Sequence, residues 1–255
     1  MSSGAGPGPH CMTRIVADIS ISLDGFVTGP GPGPDSGLGA GGEALHTWAF
    51  SDDPEDRRIL REGTARSGAV VLGRRLFDVV DGPGGWDDTT GYGAGEVGRP
   101  AFVVVTASPP ESVRLTGLDW TFVTTGLADA VAAARARAEA ASADRGADLD
   151  VVLMGGGATI GSALEAGLVE VLSVHLAPVV LGAGTPLFTG GTRHPLVRRG
   201  VTATPAATHL VYDASADRRQ GKCRATVSPP SFPASAVSAA SWAREMERTM
   251  DRPSP

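Results

Sequence analysis

Apolar and polar residues alternate from Arg14 to Leu23, placing Ile15, Ala17, Ile19, Ile21 and Leu23 on one side. That two-residue period predicts a strand with one buried face. It ends at Asp24-Gly25, a turn signal. The stretch TGPGPGPDSGLGAGGE holds too many glycines and prolines for a regular element, and a loop of this length inside a compact domain is either a lid or a passive insertion. Ser51-Asp52-Asp53-Pro54 then supplies acidic caps and a proline suited to the first helical position. The helix it predicts runs to about Arg66, with Gly68 as its stop.

Further on, Ala69 to Leu72 predicts a buried strand, and Leu76 to Val80 a short helix. A second glycine-rich loop, GPGGWDDTTGYGAGEVG, leads to strands at Ala101 to Val105 and Trp120 to Thr124. An alanine-rich helix from Leu127 to about Ala143 follows. Val151 to Met154 is apolar throughout, as in a strand covered on both faces, and runs through Gly155-Gly156-Gly157 into a helix from Ala158 to Ala166. Val169 to Leu181 predicts a long strand interrupted at Pro178, and Val201 to Thr204 with Thr208 to Tyr212 a hairpin. Strands alternating with helices and closing on a hairpin predict one α/β domain with a mainly parallel sheet.

This domain is expected over residues 13–215, between a disordered N-terminal arm at 1–12 and a mostly disordered tail at 216–255. In the tail Trp242, Met246 and Met250 form one helical stripe, which predicts a transient helix or a docking face.

Composition narrows the functional classes. The 255 residues are 42% hydrophobic with a net charge of −6 and carry no basic block, so nucleic acid is not an expected partner. Lys222 is the only lysine and falls in the tail, which removes Walker-type and pyridoxal chemistry. Cys11 and Cys223 have no metal or redox spacing, neither a metal site nor a signal peptide is expected, and no 18-residue apolar run is present. A protein of the cytoplasm with no membrane association is expected. No GxGxxG follows the first strand, against an ordinary Rossmann dehydrogenase, and no GxSxG or SxxK supports a serine hydrolase.

Three strands end in loops suited to an anion. Val70 to Leu72 leads into Gly73-Arg74, Phe102 to Val105 into Thr106-Ala107-Ser108, and Val151 to Met154 into the triple glycine. Carboxyl ends of parallel strands face one crevice in an open α/β sheet, so these loops can converge on a phosphate-bearing ligand.

SLDGFVTGP at 22–30, LGRRLFD at 72–78, FVVVTAS at 102–108 and VLMGGGATIGSALEAGLVEVLSVHLAPVVLGAGTPLF at 152–188 resemble the dihydrofolate-reductase-like family. Within it, the chain is most similar to stand-alone relatives of the reductase half of the bifunctional riboflavin-biosynthesis deaminase-reductase. HxE and PCxxC, which a deaminase half needs, do not occur.

The resemblance implies a three-layer sandwich around a mixed, mostly parallel eight-stranded sheet. NADPH is its implied cofactor, a small pterin-like or ribosylaminopyrimidine-like molecule its substrate, and a homodimer its assembly. Val16 and Ala17 would face the nicotinamide, and Leu23 to Gly25 would begin a loop closing over it. Gly73, Arg74 and Arg75 would meet the adenosine phosphates, with Thr106 and Ser108 near the adenine ribose. Gly155, Gly156, Gly157, Ala158, Thr159 and Ile160 would hold the pyrophosphate.

There are also departures from the family. Leu76 stands where a threonine is common, Glu170-Val171 replaces an Asp-Glu pair, and the pterin-anchoring carboxylate has three candidates, Asp52, Asp53 and Asp56. Asp24 is the first choice for a polar group beside the substrate, its other role being to cap the Asp-Gly turn. His46 is a second candidate donor, while His175 and His209 are expected to pack, and Trp86 and Phe188 to line a pocket or the core. The expected activity is an NADPH-dependent reductase, the alternative a non-catalytic NADP-binding sensor.

Overall fold

Eight strands form a single sheet in the computed structural model, which describes residues 13–87, 91–92 and 99–214. The predicted arms and the Trp242, Met246, Met250 stripe lie outside the described residues. In chain order the elements are β1 (Ile15–Ile21), a 3₁₀ helix (Gly42–Phe50), α1 (Pro54–Ala65), β2 (Ser67–Gly73), α2 (Arg74–Val80), β3 (Ala101–Val105) and β4 (Trp120–Val123). They continue with α3 (Leu127–Arg145), β5 (Asp150–Gly155), α4 (Gly157–Glu165), β6 (Val171–Leu176), β7 (Val197–Ala203) and β8 (Thr208–Asp213).

The sheet order is β4-β3-β2-β5-β1-β6-β8-β7. All pairings from β4 to β6 are parallel, and only β8 runs against its neighbours. The apolar runs of β2, β3 and β5 are buried along both faces, as their composition predicts. One face packs on α3 and α4 through Ile15, Ala17, Val71, Leu153, Ile160 and Leu172. The other carries Val70, Leu72, Phe77, Phe102, Val104 and Val152 beneath α2 and the loops beside it.

Several boundaries move for physical reasons. Gly68 lies inside β2 rather than ending α1. A Cβ there would stand 2.8 Å from Ala138 Cα and 2.9 Å from Leu149 Cβ, so the glycine is what lets α3 approach the sheet. β6 stops at Leu176, well short of Leu181. Pro178 has no N–H to continue the ladder, and the chain turns away to accept a 2.8 Å bond from Leu23 N at the Val179 carbonyl. The 3₁₀ helix has no counterpart in the sequence pattern, whereas the start of α1 follows it closely, with Pro54 in the first turn and Asp53 accepting from Glu55 N at 2.8 Å.

β7 forms one border of the sheet and is exposed along its length, Val197 and Val201 included. Its register against β8 shifts between Arg198 and Gly200, and the intervening Arg199 pairs with Asp213 at 2.5 Å.

At the amino edge of the sheet, buried Asp150 accepts from Arg14 Nη2 at 2.6 Å and from Arg66 Nε at 3.1 Å. Burial pushes this carboxyl up, but the two guanidinium groups outweigh it and hold it below its ordinary value. A carboxylate lowered on folding stabilises the protein above its unfolded pKa and ceases to as pH falls through the folded one. Asp150→Asn is therefore expected to lose about 1 to 3 kcal/mol at neutral pH, discounted because both arginines are partly exposed. In urea titrations the gap from wild type should close below roughly pH 4; a gap independent of pH would show that charge is not its origin.

Candidate functional site

The three glycine- and arginine-bearing loops meet at the carboxyl edge of the sheet. A Cβ on Gly73 would collide with Thr159 Oγ1, so the β2–α2 junction touches the first turn of α4. Arg74 reaches the other way, donating from Nη1 to the Ser108 carbonyl at 2.8 Å and to Thr106 Oγ1 at 3.5 Å, while its Nε pairs with Asp78 at 2.7 Å. Arg75 is exposed and has no ion pair among the described residues. Leu76, the departure from the family pattern, lies with Ile19 beside the glycine loop: their methyl groups are 3.7 and 3.6 Å from a Cβ built on Gly155.

Within the triple glycine the three positions differ. Gly155 has φ 131°, a conformation L side chains rarely adopt, and the peptide joining it to Gly156 is cis. Gly157 is buried, and a Cβ there would press within 2.8 Å of Val27 and 2.9 Å of the Pro186 carbonyl. Gly156 has φ −66°, with nothing within 4 Å of a built Cβ. In the first turn of α4 the N–H groups of Gly157 and Ala158 have no acceptor among the described residues, since the bonds back to the Gly156 carbonyl come from Thr159 and Ile160.

Three sequence-predicted residues stand differently from expectation. Ala17 and Ile160 have no exposed surface and face the α3/α4 core, so neither can touch a ligand here. Val16 pairs with Val152 and Val171 near the amino end of β1, and the β1 residue level with the glycine loop is Ile19. The alternation identified the faces of β1, but not how far along the strand the edge lies.

Asp24 is exposed and accepts from Ser22 Oγ at 2.6 Å, Gly182 N at 2.7 Å and Leu181 N at 3.1 Å. The Ser22 hydroxyl foremost, with those amides, holds it below its ordinary range. Its role is to cap the turn and tie it to the loop after β6. Leu23 is exposed at the tip, and Gly25 has φ 86°. The segment 28–42 is folded on itself by bonds from Gly29 N to Leu38 O and from Ala40 N to Pro30 O, and reaches Gly82 beyond α2, where a Cβ would lie 3.7 Å from Pro34 O.

On the polar face of β1, Ser20 is buried and Asp18 is partly covered. Asp18 Oδ1 is 2.7 Å from His175 Nε2, His175 Nδ1 is 2.7 Å from His209 Nδ1, and His209 Nε2 is 2.8 Å from Asp56 Oδ1. Ser51 Oγ donates to the other Asp56 oxygen. Trp48, from the 3₁₀ helix, stacks 4.0 Å from His175 and donates to Ser20 Oγ at 2.9 Å. His46 Nδ1 is buried with no partner among the described residues; burial, then His175, lower this histidine to about 4, leaving it neutral near pH 7.

Among the three carboxylate candidates Asp53 caps α1, Asp52 is exposed beside Arg57, and Asp56 alone points inward. Burial would raise Asp56, but hydrogen bonds from Ser51, His209 and Thr204 outweigh it and leave it lowered. His175 and His209 do pack, as expected, yet their connection to two carboxylates was not foreseen. Trp86 packs on Phe102, while Phe188 is exposed.

A groove lined by Val131, Arg135, Glu139, Leu168 and Glu170 lies elsewhere, beside the amino end of β1, and Arg135 and Glu170 pair across it at 3.1 Å. Among the described residues no helix is long and apolar enough to cross a membrane.

The model of the RibD C-terminal domain matches residues 13–209. A search of curated proteins found no match. A Shewanella sp. PV-4 structure described under riboflavin biosynthesis is similar with a TM-score of 0.52 at 21% identity, over 79% of this chain and 98% of that one. A pyrimidine reductase-like protein from Corynebacterium diphtheriae has a TM-score of 0.50 at 17% identity, covering 80% and 93%. The bifunctional deaminase/reductase of Thermotoga maritima has a TM-score of 0.50 at 12% identity, covering 80% of this chain but 57% of its own. At these identities the structures establish the expected fold, a mixed and mostly parallel eight-stranded sheet between helical layers.

The glycine geometry gives a paired test. Gly155→Ala is expected to lose about 1 to 2 kcal/mol in denaturant unfolding because its backbone disfavours a side chain. Gly156→Ala should stay within about 0.5 kcal/mol of wild type. Equal losses would show that both glycines serve packing.

Proposed function

The chain belongs to the RibD C-terminal domain family, and from that premise we propose that it is an NADPH-dependent reductase of a small heterocyclic or carbonyl substrate. The observation carrying this reading is the meeting of three phosphate-suited loops at one sheet edge: Gly73 against Thr159, and Arg74 against Thr106 and Ser108.

The residues present fit such a cofactor. The open space beside Gly156 admits a close backbone approach, and the N–H groups of Gly157 and Ala158, without an acceptor among the described residues, suit a pyrophosphate at a helix start. Arg75 has its guanidinium available for a ribose phosphate, and Ser108 is exposed on the loop that Arg74 reaches. Arg74, engaged with Asp78 and Ser108, holds the rim in shape. When bound, NADPH would supply a hydride from C4 of its nicotinamide. Segment 28–42 reaches Gly82 beyond α2 and would serve to exclude water from that ring.

The inward carboxylate of α1 is taken by His209 and Ser51. A pterin, which would need that carboxylate free, suits the site less well than an aminopyrimidine bearing a ribosyl chain or a simple carbonyl compound.

Calorimetry should give tighter binding of NADPH than of NADH. Arg75→Ala is expected to weaken NADPH by about 1.5 to 3 kcal/mol and leave NADH unchanged, as when a charge-assisted contact is lost. Arg74→Ala should weaken both, because the Ser108 loop is released. Equal affinities for the two dinucleotides in the wild type would refute the assignment, and NADPH binding without oxidation across a panel of pterins, flavin precursors, quinones and carbonyls would point to a sensor.

A further inference from the structure

The chain Asp18–His175–His209–Asp56 contains three consecutive contacts of 2.7, 2.7 and 2.8 Å. Each needs one proton between its two heavy atoms. Two neutral imidazoles carry only two. Three hydrogen bonds among two rings and two carboxylates therefore require a third proton, held either by a ring as imidazolium or by a carboxyl group.

The position of that proton follows from the far end. Asp56 has a fully buried side chain and accepts from Ser51 and His209, with Thr204 adding to the same effect, and these donors keep it ionised. His209 must then donate through Nε2. Burial disfavours a charge on His209, so its Nδ1 accepts and His175 Nδ1 donates. The only contact left is His175 Nε2 to Asp18 Oδ1, and the third proton lies in it.

We infer that this chain stores one proton in the His175–Asp18 contact and releases it through Asp18, the proton donor to the substrate. Asp56 and His209 are positioning residues: they fix the tautomer of His175.

Exposure sets the direction. The side chains of His175, His209 and Asp56 are 2%, 4% and 0% exposed, whereas that of Asp18 is 32% exposed. Asp18 Oδ2 has no hydrogen bond among the described residues and faces Gly63 of α1, where a Cβ would be 3.8 Å away. Asp18 directly precedes Ile19, the β1 residue level with the glycine loop. The other ionisable groups bearing on it are His46 of the 3₁₀ helix, neutral, and Tyr92, whose phenol is pushed up by burial and then by Asp18. Neither competes for the proton near neutral pH.

The delivery step rests on the proposed reductase activity and balances as follows. A reduced nicotinamide, when bound, would supply the hydride, two electrons and a proton, to the substrate carbon of a C=N or C=O bond and be oxidised in turn. The substrate nitrogen or oxygen takes the proton from Asp18, forming N–H or O–H, and solvent later restores the store.

The test uses the full chain, labelled with ¹⁵N-histidine and ¹³C-aspartate, by NMR between pH 5 and 9. The expected result is an ionised Asp56, His209 neutral with its proton on Nε2, and a third proton shared by His175 and Asp18 that leaves as pH rises. In Asp18→Asn, exchange of the Nδ1–Nδ1 proton with solvent should slow at least tenfold. Two neutral rings between two ionised carboxylates throughout that range, or exchange indifferent to Asp18→Asn, would overturn the inference. His209→Gln provides the same reading if Asp18→Asn does not fold: the pH at which the proton leaves should shift.

With a substrate in hand, Asp18→Asn should lower turnover roughly 100-fold or more with NADPH affinity within twofold of wild type. Wild-type turnover should fall at the pH where NMR sees the proton leave, and unaltered turnover in Asp18→Asn would also overturn the inference. Absence of any wild-type turnover would count against the reductase reading alone, because the proton count stands on its own measurement.

Discussion

A carboxylate removed from water must find donors or give up its charge. In α1 the one fully buried side chain is Asp56. Ile59 and Leu60 are only half-buried, so this helix has no apolar stripe strong enough to fix it on the sheet. What fixes it is the bond from Asp56 to His209 and the hydroxyl of Ser51 at the preceding turn. Such a lock adds little net stability compared with an apolar contact of equal size, but breaking it leaves a buried charge, so it permits one position of the helix and penalises others. The 3₁₀ helix follows by the same logic, with Trp48 bonded to Ser20 and stacked on His175. The α3/α4 layer is thus held by apolar packing, whereas in the other layer α2 sits on an apolar cluster and α1 is fixed by polar contacts.

That division explains what could be read from the sequence. The α3/α4 layer and the strands beneath it announce themselves by period and by continuous apolar runs. α1 began where Asp53 and Pro54 placed it, because caps and prolines act locally. The glycine loops were legible for the same reason: their effect is on their own backbone. The polar chain was not. His175 and His209 are 34 residues apart and meet only through the register of β6 on β8. The polar side of β1, with Asp18 and Ser20, looked like a solvated face, and nothing in alternation distinguishes water from a second polar layer.

Asp24 is an instructive contrast with Asp18. Both are aspartates of the first strand and its turn, and the turn position drew attention because it sits beside a glycine. The structure spends Asp24 on two backbone amides of the loop after β6, which draws the Gly182 turn to the end of β1. The carboxylate with chemical freedom is the one inside the strand, where one oxygen is fixed by His175 and the other has no bond among the described residues. Scaffold and reactive group are separated by only six residues of chain.

The border strand β7 has a consequence for how this protein behaves at high concentration. A long exposed strand with outward valines offers unpaired backbone groups to any other chain, the usual nucleus of disordered self-association. Here the extra residue Arg199 interrupts the register and spends its charge on Asp213, while Arg198 precedes it. A second strand approaching along this border would have to desolvate two guanidinium groups and accommodate a kink before gaining regular bonds. A three-residue irregularity at the rim thus guards this border against edge-to-edge pairing.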